Sequence, residues 1–168
     1  MSTSDSIVCD AVFSEDGLYR YSAHRTWDAR GPRAMFVGLN PSLAGGLEDN
    51  PTIRRVMGFA RLWGCGGVDL LNLFAWRATT PKGLKQALRP DGPDNTAHLL
   101  RHARRADLVV AAWGTHGAHR GAGTQIATQL SAVADLYCLG RTQAGHPKHP
   151  LYLRKDTALE SFEVGTTG

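Results

Sequence analysis

Four short apolar runs punctuate the chain: Arg33 to Leu39, Val68 to Leu73, Leu108 to Trp113 and Leu136 to Leu139. Each is near-continuously apolar instead of alternating, the pattern of a strand buried on both faces. Between them the period changes to that of a helix. Residues 49–64, DNPTIRRVMGFARLWG, place Ile53, Val56, Met57, Ala60 and Leu62 or Trp63 at helical spacing, with Pro51 at a first helical position, Thr52 or Asp49 as a cap and Gly64 as a stop. Residues 93–107 and 121–135 read as two further helices, the first capped by Asp94 or Asn95. Ahead of these, Gly17 to Trp27 is aromatic and partly alternating, as in an edge strand or hairpin, and DARGP breaks it.

Strands alternating with helices of this length imply βαβ units with right-handed crossovers. The expected fold is therefore an α/β three-layer sandwich around a central, mostly parallel four-stranded sheet. Residues 1–168 read as one domain, with 1–32 as an N-terminal edge hairpin and flexible start.

In open α/β sheets, ligands bind outside the carboxyl ends of the strands, near the point where strand order reverses. The first run ends in Asn40-Pro41-Ser42 and a Gly-rich loop; the second delivers Asn72, then Phe74, Trp76 and Arg77. The third delivers Trp113-Gly114 with Thr115 and His116, and the fourth leads to His146 and His149. Side-chain amides match the edge of a nucleobase, aromatic rings stack on its face, and a histidine donates to an oxygen that gains charge as a leaving group departs. No carboxylate stands at these ends. Neither G-x-S-x-G nor G-x-x-x-x-G-K occurs, so a nucleophile elbow and a P-loop are excluded.

Composition narrows this only slightly. Net charge is +4 and the basic residues are mostly Arg, the side chain suited to phosphate forks and base stacking, so a nucleic-acid or nucleotide partner is expected. Arg54 and Arg55 stand in the first turn of a helix, where backbone amides favour anions, and with Ser42 and Arg77 they form the expected phosphate contacts. Arg101, Arg104 and Arg105 share one helical face, read as solvated. The three cysteines are far apart and form no C-x-x-C pair, so they read as reduced thiols. Without a secretory signal or an apolar run of membrane-spanning length, a cytoplasmic protein with no membrane partner is expected.

Taken in order, G-L-N-P at 38–41, L-L-N at 70–72, A-W-G at 112–114 and G-H-P at 145–147 resemble the motif series of the uracil-DNA glycosylase superfamily. The Asn in the first motif is similar to the mismatch-specific branch. The resemblance implies that Asn40 orients a water, Asn72 reads a pyrimidine-like edge and a histidine stabilises the departing base. HPKHPL has one residue more than the family's H-P-x-P-L, so His146 and His149 both stand as candidates for that role. Phe74 and Trp113 are the expected partners of the base face. The span from about Tyr19 to Leu153, with GLNPS, DNPTIRR, NLFAWRAT, AAWG and GHPKHPLY, also resembles a bacterial and phage family of unknown function.

Other readings stand beside this one. Asn-Pro-Ser is ordinary turn chemistry, and Asn72 would serve equally to tie down a loop. A non-hydrolytic nucleotide-binding or modification module would use the same side chains without activating water. HGAH at 116–119 and HPKH at 146–149 raise a third possibility, a zinc-dependent hydrolase, although no acid or thiol accompanies either pair. No cofactor or obligate metal is expected.

Overall fold

The computed structural model describes residues 6–43 and 46–164, so the middle of the Gly-rich loop lies outside the described residues. The strands are β1 (Val8–Phe13), β2 (Arg20–Thr26), β3 (Arg33–Gly38), β4 (Gly67–Asn72), β5 (Leu108–Ala111), β6 (Leu136–Cys138) and β7 (Glu160–Ser161). They form one sheet in the order β1-β2-β4-β3-β5-β6-β7. The four expected strands are its centre, β4-β3-β5-β6, all parallel. The expectation of four strands is corrected to seven, because β1 and β2 extend one side and β7 the other, each antiparallel to its neighbour. The sheet is therefore mixed.

The helices are α1 (Pro51–Leu62), α2 (Pro81–Gln86), α3 (Asn95–Arg105) and α4 (Ala122–Ser131). α1 buries Ile53, Val56, Met57 and Phe59 against Phe36, Val68 and Leu70 on one face of the sheet. α3 and α4 bury Leu99, Ala103, Ile126 and Leu130 against Met35, Val37, Leu71 and Val109 on the other. Each of these side chains larger than alanine contributes roughly 1.5–3 kcal/mol of transfer free energy, which outweighs the ordinary helix propensity of these segments.

Local chemistry sets the helix ends. Pro51 opens α1, but the cap is Asn50, whose Oδ1 accepts from Ile53 N at 2.8 Å. Asp49, one of the expected caps, instead pairs with Arg25. Asp94 precedes α3 without a capping bond, and Asn95 turns inward.

β2 carries one irregularity that matters for the site. Val12 pairs with Ser22 and Phe13 with Arg20, leaving Tyr21 as a bulged residue. A bulge interrupts the two-residue alternation. Ala23 and Arg25 face the α1 side, opposite Leu70 and Val68, while Tyr21 stacks on His98 of α3, with ring centroids 4.5 Å apart. Arg20 is thereby turned to the α1 side.

Candidate functional site

Strand order reverses at β3, since the chain passes to β4 on one side and then crosses to β5 on the other. A cleft of about 750 Å³ opens at that switch point. Gly38, Asn40, Ser42, Asn72, Trp113 and His149 are among the residues that line it. Five expected site residues, Asn40, Ser42, Asn72, Trp113 and His149, are thus brought together.

Asn72 closes β4 and pairs in register with Gly38 of β3. Its side chain is buried, and Nδ2 has no hydrogen-bond partner among the described residues. Asn95 Nδ2 donates to the backbone oxygens of Asn72 and Leu73 at 2.9 and 3.1 Å, fixing the strand end from behind. The strand is held in place while its terminal amide is left unsatisfied. Burying an amide donor without a partner costs about 1–3 kcal/mol, so this position favours a ligand that brings an acceptor.

Asn40 is held differently. Its Nδ2 donates to Pro41 O at 3.0 Å and Ala78 O at 2.9 Å. Both amide hydrogens are consumed by carbonyls, which fixes the orientation of the amide and leaves Oδ1 as the atom able to accept from a water or ligand. Asn40 is therefore both a loop tie and an acceptor at the cleft. Ser42 follows, its Oγ buried and without a partner among the described residues.

The two candidate histidines are placed differently. His149 lines the cleft and His146 does not. His146 belongs to a turn in which its backbone N–H donates to Thr142 Oγ1 and Thr142 N donates to its carbonyl. His149 Nδ1 accepts from Leu151 N at 3.1 Å, so the neutral ring carries its proton on Nε2. Burial holds its pKa below the ordinary imidazole value, keeping the ring a neutral donor near pH 7. Gly114, at φ +72°, joins Trp113 to this wall, and its N–H donates to Pro147 O at 2.9 Å.

The remaining expected residues lie elsewhere. Phe74 is 2% exposed and packs in the core on the α3 and α4 side, its ring tilted against His119. Trp113, already counted at the cleft, packs its ring in that same core, edge-on to Phe162. Arg77 donates to Gly17 O and Leu43 O, which makes it a loop clamp. Arg54 and Arg55 line a second groove on the outer face of α1, together with Arg61 and Lys155. That groove adjoins the cleft, sharing Pro51 and Leu151 with it.

Two residues at the cleft escape a reading by strand ends. Tyr152, 87% exposed, stands on the turn after His149, with the two rings 6.3 Å apart. Its signal was the HPLY segment, read for its histidines alone. Arg20, 4% exposed, enters the wall through the β2 bulge, which leaves no mark in hydropathy. No Asp or Glu lines the cleft among the described residues, whereas Arg20 and Lys148 do, so its charge is positive.

A separate polar cluster lies on the α3 side, near the amino ends of β3 and β4. His24 Nδ1 is 2.7 Å from Asp69 Oδ1, and Ser22 Oγ is 2.8 Å from His24 Nε2. Arg33 engages both carboxylate oxygens of Asp69, at 2.7 and 3.2 Å. Burial alone would raise the Asp69 pKa; the facing His102, His24 and Arg33 side chains reverse this and hold it well below the usual carboxylate range. His102 Nδ1, at 3.8 Å, acts by proximity, too distant for a hydrogen bond. His24, Asp69 and His102 are close enough to surround a metal ion, but the guanidinium already occupies the carboxylate. Ser22 has no exposed surface and hence no path to a substrate, so the cluster is a brace. Among the described residues, the HGAH and HPKH histidines do not form a metal-holding group.

With this geometry in place, the family model described as a protein of unknown function, DUF1643, matches residues 20–151. The chain belongs to the DUF1643 family. The DUF1643 match begins at Arg20 itself and takes in Asn40, Asn72, Trp113 and His149. No curated protein matches the chain. Among solved structures it is similar to the hetero-hexameric glutamate dehydrogenase of Thermus thermophilus in its leucine-bound form, at 15% identity and a TM-score of 0.32. That similarity covers 77% of this chain, which spans only 32% of the dehydrogenase chain. No helix among the described residues is long and apolar enough to cross a membrane.

Proposed function

We propose that this DUF1643 chain recognises a nucleobase in the cleft at the carboxyl ends of β3, β4 and β5, on a uracil-DNA-glycosylase-like plan. The observation that carries the reading is Asn72, a buried amide at the switch point whose Nδ2 lacks a partner among the described residues. A pyrimidine carbonyl would satisfy it. Tyr152 supplies an exposed ring for the base face, and the Nε2–H of neutral His149 donates to a base oxygen.

The reaction compatible with these groups is hydrolysis of an N-glycosidic bond. Its transition state is oxocarbenium-like, so a water held by Asn40 Oδ1 attacks the sugar carbon while the base departs as an anion stabilised by His149. Among the described residues no lining carboxylate is present to accept the water's proton, which passes to solvent as the C–O bond forms and the C–N bond breaks, so turnover would be slow. That same absence favours a second reading, a non-hydrolytic module that holds a nucleotide or nucleic acid with the same side chains.

The two are separated by incubating the chain with single- and double-stranded oligonucleotides carrying uracil, modified pyrimidines or mismatches. Abasic sites that form with the wild type and not with Asn40→Ala establish the hydrolase. Binding that depends on Asn72, without base release, leaves the module; no binding and no release on any substrate rejects both.

A further inference from the structure

β2 buries two arginines, and the chain treats them oppositely. Arg25 is 1% exposed and fully provided for: Nε donates to Asp49 Oδ1 at 3.1 Å, and the other nitrogens donate to His24 O and Glu48 O. Arg20 is 4% exposed, and among the described residues its Nε has no hydrogen-bond partner and no carboxylate pairs with it. The charges that act on it are those of Arg77 and Arg25, both cations. Burial first, and then these two neighbours, pushes its pKa down to about 10, which leaves it charged at neutral pH.

A buried guanidinium beside two like charges is a net cost in the empty protein. The bulge at Tyr21 that places it there is a second departure from regular structure. Of the two, Arg20 faces the cleft, where Ser42 Oγ is another buried polar atom without a partner among the described residues and Lys148 adds a second cation. What the wall lacks is an anion.

We propose that Arg20 is the anion anchor of the cleft, and that the bound ligand carries a phosphate group which Arg20 and Ser42 receive while the base lies at Asn72. Phosphate suits this wall because it offers several acceptor oxygens to a guanidinium fork and a hydroxyl at once. The inference rests on the base-binding reading for the rest of the ligand but not for the anion itself. A free nucleotide and a nucleic-acid backbone present the same group, so the test must tell them apart.

The full chain is titrated calorimetrically with inorganic phosphate, with the common nucleosides, with their 5′-monophosphates and with a short single-stranded oligonucleotide, for the wild type, Arg20→Gln and Arg20→Lys. At least one nucleotide should bind about tenfold or more tighter than its nucleoside, as expected of a charge-assisted contact. Arg20→Gln should erase that difference while leaving nucleoside affinity within about twofold, and Arg20→Lys should keep part of it. Phosphate should raise the melting temperature of the wild type and not that of Arg20→Gln. Removing an unpaired buried cation should also leave the ligand-free variant at least as thermostable as the wild type, whereas a structural role for Arg20 would lower its melting point.

Outcomes assign themselves separately. Nucleosides that bind without any gain from phosphate, or a gain that survives in Arg20→Gln, overturn the anchor and leave the base reading standing. Phosphate binding that depends on Arg20, with no nucleoside affinity, keeps the anchor and rejects the base. Tight oligonucleotide binding beside weak mononucleotide binding assigns the phosphate to a polymer, and the reverse assigns it to a free nucleotide. No phosphate effect in any arm rejects the proposal.

Discussion

Gly38 and Asn72 are register partners on adjacent parallel strands, and a Cβ added to Gly38 would stand 2.7 Å from Asn72 Oδ1. The missing side chain on β3 is what lets the Asn72 amide lie across the strand end. Gly38→Ala should therefore displace the amide, costing about 1–3 kcal/mol of stability from overpacking and weakening nucleoside binding at least as much as Asn72→Ala does. Asn72→Ala itself should leave stability within about 1 kcal/mol of wild type, because it removes an unsatisfied donor. Urea unfolding midpoints beside nucleoside titrations of the two variants check the pair.

Asn95 makes the opposite prediction. It contacts no cleft space yet ties the Asn72 and Leu73 carbonyls, so Asn95→Ala orphans two buried acceptors. A loss of about 2–4 kcal/mol is expected, combining two hydrogen bonds with the desolvation left behind. Equilibrium denaturation reads it directly; a loss below about 0.5 kcal/mol would count against the brace.

Tyr152 is exposed and on a short turn, so Tyr152→Ala should change stability by less than about 0.5 kcal/mol. If the ring stacks on the base, the same change should weaken ligand binding by roughly 1–3 kcal/mol. Unchanged affinity would remove Tyr152 from the site.

Acid should weaken the fold in two stages. His98, His119 and His149 are held below the ordinary imidazole pKa, chiefly by burial, so the unfolded chain takes up protons first as pH falls below about 6.5 and stability declines there. Asp69 is shifted down as well, so its stabilisation is complete above the unfolded carboxylate pKa of about 4 and is lost as pH falls below that value. Melting temperatures from pH 8 to pH 3 should show both slopes. Asp69→Asn should flatten the lower one while lowering stability at pH 7.

The central strands were legible because residues buried on both faces leave an apolar run that nothing else in the chain imitates. β1 was not, since most of its side chains are exposed and it has no face to mark; β7, with two residues, and α2, with six, are too short to show a period. At the site, strand ends pointed to Asn40, Asn72 and His149 because a parallel sheet sends its carboxyl ends to one crevice. Phe74 escapes that rule because the chain keeps bonding to β3 beyond Asn72, through Leu73 N to Gly38 O and Phe74 N to Leu39 O, while both side chains turn inward. Arg20 needed the bulge, and a bulge is a property of pairing that one strand's sequence does not carry.

The two bonds made by Asn40 Nδ2 also decide what this position would tolerate. An aspartate of the same shape would add a proton acceptor at the cleft. It has no hydrogen to give, so Pro41 O and Ala78 O would each face a carboxylate oxygen, and repulsion would push the loop off the strand end. Gaining the stronger base would thus dismantle the surface on which it had to act, and at this position the amide is the form that the surrounding backbone accepts.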